Sequence, residues 1–413
     1  MIKDEVMTTK HSIEVQTDGS VTTPKGFTAG GIHAGVRKDW TKLDVGLLFS
    51  EAPCTVAATY TKNKLKAAPL LITQKHLADG KAQAIVVNAG CANCATGQQG
   101  LDNAVTMAQL AGQKLGIDPH DVIVASTGVI GTQLPMDRIG PGIENVDLFP
   151  NGGIDFAVAM MTTDTVKKHI SVSAGGWTIG ASCKGVGMIH PNMATMLCFM
   201  TTDAPVEHAF LQKSLSQAVD ASFNMVDIDS DTSTNDTAVV MANGLAGGPT
   251  ITDSHPQAEI FQKALTLVCT TMARKMVQDA EGGTKLIETK VEGAPTTDDA
   301  RKAAREIVSS VGVKTAIYGE DANWGRILAA IGNSGATFDM EKTSLWLTKP
   351  DGGEVLLFTD GAPQNYDLAS AKACLAPKEV GIRVDLGLGS ATATAWGSDL
   401  TEEFVRLNSQ YTT

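Results

Sequence analysis

Apolar positions along the chain fall into short continuous runs, separated by stretches with helical spacing. "DVGLLFS" (44–50), "CTVAATYT" (54–61) and "AQAIVVNAG" (82–90) read as strands. "LDNAVTMAQLAGQKLGI" (101–117) repeats its apolar residues with a helix period and predicts a helix capped by Asp102. "DVIVASTGVIG" (121–131) predicts a strand running into a glycine-punctuated turn. "IDFAVAMMTTDT" (154–165) predicts a helix that ends near its threonines, and "HISVSAGGWTIGASCKG" (169–185) a hairpin turning at Gly175-Gly176. "MATMLCFM" (193–200) reads as a buried strand. Three long helices are expected over 206–224, 256–278 and 297–311, with "AVVMAN" (238–243) as a strand among them. "GIRVDLGL" (381–388) alternates apolar and polar residues and is the last clear strand. With no repeat, low-complexity tract or long linker, the pattern predicts an α/β or α+β chain in two layered halves.

Composition changes this picture little. The 413 residues are 43% hydrophobic and 19% charged, enough to bury a large core. The net charge of −12 argues against nucleic acid or an anionic membrane as partner. No apolar run is long enough to span a bilayer, and the first twenty residues mix acids with bases and lack an apolar core, so a cytoplasmic protein is expected. Seven cysteines, an odd number mostly in apolar surroundings, point to reduced thiols. Cys91 and Cys94 form a C-x-x-C pair that suits a redox couple, half a zinc site or a packed turn.

Several segments carry groups with chemical use. "STGVIG" (126–131) follows an apolar strand, and backbone N–H groups of such a turn can face an anion or a developing oxyanion, with the Thr127 hydroxyl as a further donor; an ordinary strand-to-loop turn reads the same way. "SDTSTNDT" (230–237) gathers acids and hydroxyls for a metal or polar ligand, or for a turn satisfied by its own side chains. In "DAEGGTK" (279–285), Glu281 is either a partner for a cationic substrate or a solvated charge. "GEDANWGRI" (319–327) places acids, Trp324 and Arg326 in a turn. The histidines form no triad motif, and no phosphate-binding glycine loop of either common kind is present.

The run "CKGVGMIHPNMATMLCFMTTDA" (183–204) bends at Gly185, Gly187 and Pro191 before its strand, which holds Thr195 between Ala194 and Met196. A threonine hydroxyl is a weak nucleophile without a base. Threonine at a chain's N-terminus carries its own base, an α-amine with a pKa of about 7.7–8.0. An internal threonine reaches that state when its hydroxyl attacks the preceding carbonyl and the resulting ester is hydrolysed. Buried threonines in strands are also common.

The segment "KGVGMIHPNMATML" (184–197) resembles the signature K-G-S-G-M-I-x-P-N-M-A-T-M-L of the bifunctional ornithine acetyltransferase / glutamate N-acetyltransferase family of arginine biosynthesis, with Val186 where serine is usual. "TPKGFTAGGIHAGVR" (23–37), "STGVIG", "MTTDT" (161–165), "EGGTK", "GEDANWGRI" and "DLTEEFVRLNSQYTT" (399–413) are similar to further family blocks. "VNAGCANCATG" (87–97) resembles V-N-S-G-N-A-N-A-C-T-G, departing at Ala89, Cys91, Cys94 and Ala95. "SDTSTNDT" and the residues before it resemble T-V-D-G-D-x-S-T-N-D-T, with Ser230 where glycine is usual.

The resemblance implies cleavage between Ala194 and Thr195. Residues 1–194 then form a first chain holding the oxyanion hole, and residues 195–413 a second chain with the nucleophile and substrate-binding tail. It implies two αββα-type layered domains, as in the aminopeptidase/ornithine acetyltransferase fold, with the two chains forming one body and pairing as a heterotetramer. Thr195 is the implied nucleophile, and Thr127 and Gly128 the oxyanion hole. Thr162 or Thr163, Lys184, Glu281, Asn408 and Thr413 are the implied substrate contacts. The implied reaction moves an acetyl group from N-acetylornithine to glutamate through an acetyl-threonine ester, with neither metal nor organic cofactor, and acetyl-CoA as a further acetyl donor in bifunctional members. A self-processing aminopeptidase or amidohydrolase of the same fold and a non-catalytic amino-acid-binding protein are the competing classes.

Overall fold

A computed structural model describes residues 12–37, 41–190 and 196–410. The apolar runs at 44–50 and 54–61 are one sixteen-residue strand, Val45–Tyr60. Its pairing register shifts between Phe49 and Cys54. Pro53 has no N–H for a ladder, so the irregularity falls where the sequence demands it.

The chain folds as two compact units. The first takes in residues up to Gly185, Thr195–Val219 and Ser233–Met272; the second has Val186–Ala194, Asp220–Thr232 and Ala273 onward. Strands numbered along the chain are β1 (Glu14–Gln16), β2 (Phe27–Ile32), β3 (Val45–Tyr60), β4 (Lys81–Cys91), β5 (Val122–Val129), β6 (Lys168–Ala174), β7 (Trp177–Lys184), β8 (Leu197–Thr202), β9 (Val226–Asp227) and β10 (Thr237–Ala242). All but β9 build the sheet of the first unit, in the order β1-β6-β7-β8-β10-β3-β4-β5, with β2 also on β3. The β8–β10 and β4–β5 pairs are parallel.

Helices α1 (Ala68–His76), α2 (Gly97–Leu115) and α3 (Met136–Asn145) lie with the β3–β5 region. Met107, Ala108 and Ala111 of α2 and Ile139 and Ile143 of α3 share one core with Leu47, Val86 and Val124. The opposite face of these strands buries Leu48, Ile85, Val87 and Ile123 with Phe199, Val239 and Met241, and with Phe156 and Ala157 of α4 (Gly153–Ala159). Burial on both faces explains why β4 reads as a continuous apolar run rather than an alternating one.

The second unit holds β9, β11 (Leu286–Ala294), β12 (Ser344–Thr348), β13 (Glu354–Thr359), β14 (Ala362–Pro363), β15 (Glu379–Asp385) and β16 (Ala391–Ser398), in the order β14-β13-β12-β15-β11-β16-β9. Helix α7 (Thr297–Ser309) buries Ala300, Ala303, Ala304, Ile307 and Val308, one apolar stripe, and packs on β11 and β16. Helices α5 (His208–Asp220) and α6 (Ala258–Gln278) carry the chain from one unit toward the next. Helices α8 (Val311–Tyr318), α9 (Trp324–Asn333), α10 (Leu368–Leu375) and α11 (Glu402–Asn408) complete the described set. The layered mix of helices and sheets agrees with the fold expected from sequence.

Four local expectations change. Asp102 lies inside α2, which starts at Gly97, and accepts a hydrogen bond from Gln98 Nε2 instead of capping. The helix expected to run to residue 165 ends at Ala159, because Thr162 N–H turns back to the Asp164 carboxylate. Helix α5 starts at His208, after Val206 bridges Ile251. "GEDANWGRI" is half helix: Asn323 accepts from Arg326 N–H and opens α9 at Trp324.

Candidate active site

Two groups of residues in the first unit carry the expected chemistry. Strands β4 and β5 run parallel as far as Gly90 and Gly128, where their register shifts. Gly128 has φ +132°, and a Cβ there would lie 2.3 Å from the Gly90 carbonyl carbon. Only glycine lets the strand ends meet in this way. Thr127, beside it, is buried.

Side chains brace this turn from within. Ser126 Oγ donates to Asn88 Oδ1 (2.6 Å), and Asn88 Nδ2 donates to the Cys91 carbonyl (3.0 Å). Asn235 Nδ2 donates to the Ala92 and Ser126 carbonyls (2.7 and 2.8 Å). The hydroxyl-rich segment therefore sends its second half, Ser233 to Thr237, into the protein as a brace. Cys91 and Cys94 are buried free thiols of the braced loop.

The second group surrounds Asp164. Its Oδ1 accepts from Lys168 Nζ (2.8 Å) and from Gly185 N–H (2.9 Å); its Oδ2 accepts from Thr162 N–H (3.1 Å). Burial would raise this carboxyl, but the Lys168 and Lys184 ammoniums and the Gly185 amide overcome burial and hold it at about 2. Lys42 donates to the Thr162 carbonyl. Burial lowers the Lys42 pKa; the field of Asp164 opposes the shift, and those of Lys184 and Arg37 add to it. Lys184, at the end of β7, is 3% exposed. Among the described residues no hydrogen bond or ion pair engages its ammonium. Thr162 is buried in this group, whereas Thr163 is exposed.

In the second unit, the Val186 carbonyl accepts from Glu281 N–H (2.9 Å). The Glu281 carboxylate lies so close to the Gly187 backbone that a Cβ there would sit 2.6 Å from Oε2. Asn408 Nδ2, at the end of α11, donates to the same Oε2 (3.1 Å). Asp229 accepts from the Met188 and Ile189 amides, and Ile228 N–H donates to the Ile189 carbonyl. Met188 is held at φ +55°, a strained value for a side chain of its size. His190 Nδ1 meets Asp227 Oδ2 (2.8 Å), and the buried Lys314 pairs with Asp227 Oδ1 (3.1 Å). Burial pushes Asp229 up to about 6 against the pull of the three amides it accepts. The bend of 185–190 is thus fixed by carboxylates remote in sequence.

Ala194, Thr195 and Thr413 lie outside the described residues. Of the other expected residues, Thr127 and Gly128 share the braced turn, Lys184 and Thr162 the Asp164 cluster, and Glu281 and Asn408 one hydrogen bond. The sequence reading missed Asp164 with Lys168 and Lys42, the brace by Asn235, and the Asp229 clamp. An Asp-x-x-x-Lys spacing was visible at 164–168, but no helix spans it to give that spacing meaning.

The model of the ArgJ family matches residues 28–413. This chain belongs to the ArgJ family. An arginine biosynthesis bifunctional protein ArgJ from Symbiobacterium thermophilum is 49% identical over 402 residues, 96% of this chain and 99% of the relative. The protein of that name from Dehalococcoides mccartyi is 46% identical over 98% of this chain and 100% of its own, and that from Bacillus subtilis 45% over 97% and 98%. Among solved structures, an ArgJ protein from Bacillus halodurans is 43% identical over 51% of this chain and 97% of its own, with a TM-score of 0.48. Within the ArgJ family pattern, the glycine usual at position 230 has a physical reason: Ser230 adopts φ +66° here.

Proposed function

We propose that the chain is the acetyltransferase that moves an acetyl group from N-acetylornithine to glutamate in arginine biosynthesis, after cutting itself between Ala194 and Thr195. The family match over residues 28–413 carries this reading. In it, the Thr195 α-amine takes the hydroxyl proton, and the oxygen attacks the acetyl carbonyl. The Thr127 hydroxyl and the Gly128 amide stabilise the tetrahedral oxyanion, a contribution of about 10²–10³ in rate for one donor. The glycine-dependent turn, braced by Asn88 and Asn235, supports this role, since such donors act only when held in place. Ornithine leaves with the proton, and glutamate takes the acetyl group from the Thr195 ester.

Lys184 receives a substrate carboxylate, with Thr162 or Thr163 beside it; a buried ammonium with no hydrogen bond or ion pair among the described residues suits that task. Glu281, held by Asn408, and Thr413 meet the amino-acid substrate, where a carboxylate matches ornithine's ammonium. The chemistry needs no metal or organic cofactor. The relatives are named bifunctional, and acetyl-CoA is the proposed second acetyl donor. The cut chains, 1–194 and 195–413, assemble as a heterotetramer in the cytoplasm. Among the described residues no helix is long and apolar enough to cross a membrane.

The test begins with the mass of the denatured protein. Two masses that sum to the intact chain plus one water, the second starting Thr-Met-Leu-Cys, are expected, and T195A should stay intact. Acetyl release from N-acetylornithine should then depend on glutamate as acceptor. Release at the same rate to water alone would favour the hydrolase, and an intact wild-type chain that binds ornithine without turnover would favour the binding protein.

A further inference from the structure

Around Asp164 the cations outnumber the carboxyls. Lys168 takes Asp164 Oδ1 at 2.8 Å, and both side chains are fully buried. Asp44 is held by the Ala34 and Val36 amides (2.6 and 2.7 Å). Lys42, half-buried, donates to the Thr162 carbonyl, and the N–H of the same Thr162 is on Asp164 Oδ2. Gly185, the neighbour of Lys184, donates to Asp164 Oδ1. The fields of Lys184, Arg37 and Asp44 reach Lys42, and that of Lys184 also reaches Asp236. Four cations (Arg37, Lys42, Lys168, Lys184) thus stand against three carboxyls (Asp44, Asp164, Asp236), an excess even with every carboxyl counted as charged. The chain as a whole carries −12, so this excess is local. Buried positive charge without an anion is costly. The cluster also borders the braced turn: the Arg37 stem packs on Gly90, where a Cβ would meet its Cγ at 3.0 Å, and Gly90 is the residue that crowds Gly128.

We propose that Lys42 selects glutamate as the acetyl acceptor: its ammonium receives the side-chain carboxylate while Lys184 receives the α-carboxylate. This rests on the transfer reading above. The two substrates of a ping-pong transfer use one site in turn. N-acetylornithine brings one carboxylate and a side-chain ammonium, so a single cation serves it. Glutamate brings two carboxylates, and the cation excess around Asp164 matches the second. Glutamine has the same shape but offers Lys42 no charge. The lowered pKa of Lys42, owed first to its burial, fits an ammonium short of anions. A carboxylate bound there relieves that deficit, a gain that glutamate makes and glutamine does not.

The test compares glutamate with glutamine as acceptor in wild type, K42M, K42Q and K42R. In a ping-pong transfer, kcat/KM for each substrate reports its own half-reaction. In K42M the preference for glutamate over glutamine should fall about ten- to a hundredfold, the worth of one hydrogen bond between charged groups. The fall should lie in kcat/KM for glutamate and exceed any fall for N-acetylornithine, and K42R should regain part of the preference. K42Q keeps a polar side chain and decides the matter should K42M not fold. An unchanged preference in either folded neutral variant overturns the proposal, as does an equal fall in both half-reactions. If neither neutral variant folds, Lys42 is a structural cation and the proposal fails. A wild-type protein that transfers acetyl to no amino acid fails the transfer reading itself, before any variant is compared.

Discussion

Asp164 is buried and Asp229 half-buried, and their surroundings drive the two carboxyls in opposite directions. Asp164 faces cations and is held at about 2, so its folded pKa lies below the unfolded value near 3.9. Its stabilising contribution is complete above pH 4 and is lost as pH falls through 2. Asp229 faces amides and the Asp227 carboxylate and titrates at about 6. The folded state then binds more protons than the unfolded one between pH 4 and 6, so stability falls as pH rises across that window. D229N should flatten this decline in denaturation curves taken from pH 4 to 7; an unchanged slope would place its origin elsewhere. D164N should cost about 3–5 kcal/mol at pH 7 in urea denaturation, because it strands the Lys168 ammonium without its charge partner in the interior. Replacing Ser230 by glycine removes the cost of φ +66° and should raise stability by up to about 1 kcal/mol, less the entropy glycine adds to the unfolded chain. A fall in melting temperature would mean that the Ser230 side chain makes a contact outweighing this strain.

At the scale of elements, legibility followed periodicity. β4, β10 and α7 appear close to where their apolar patterns put them, because a stripe or run buried on a face is written in the order of residues. Two of the four altered boundaries share another cause: a side chain, Asp164 or Asn323, captures a backbone amide and stops or starts an element where periodicity has no say. The braced turn was half legible. "STGVIG" announced a turn, but nothing local said that Gly90, 38 residues earlier, would crowd Gly128. G128A should therefore lose transfer activity and destabilise the first unit together, whereas T127V, which keeps the backbone, should lower kcat with a near-normal melting temperature. If T127V transfers acetyl at the wild-type rate, its hydroxyl is not an oxyanion donor. The clasp on 186–190 and the pairing of Glu281 with Asn408 were legible only as separate family blocks, since residues 37 to 127 positions apart in sequence meet through the fold of the second unit.

Across the whole molecule, the decisive arrangement is where the proposed cut falls in the first sheet. Strands β1 to β7 precede Ala194, while β8 and β10 follow it. β8 is bonded to β7 on one side and to β10 on the other, and β10 continues to β3. After the proposed cut, the second chain would supply two interior strands of a sheet whose flanks come from the first. Pulling it out would break the β7–β8 and β10–β3 ladders and expose Leu197, Phe199, Val239 and Met241, now buried with Leu48 and Ile85. Each such side chain is worth about 1.5–3 kcal/mol of burial, so the chains cannot part without loss of the unit's core. A tag on residue 413 alone should therefore retain both chains through native purification and dilution. Urea should unfold the sheet of the first unit in one transition, whether followed from the first chain or from the second. Recovery of the tagged chain by itself from the folded, cut protein would show that β8 and β10 are not the interior strands that hold the two together.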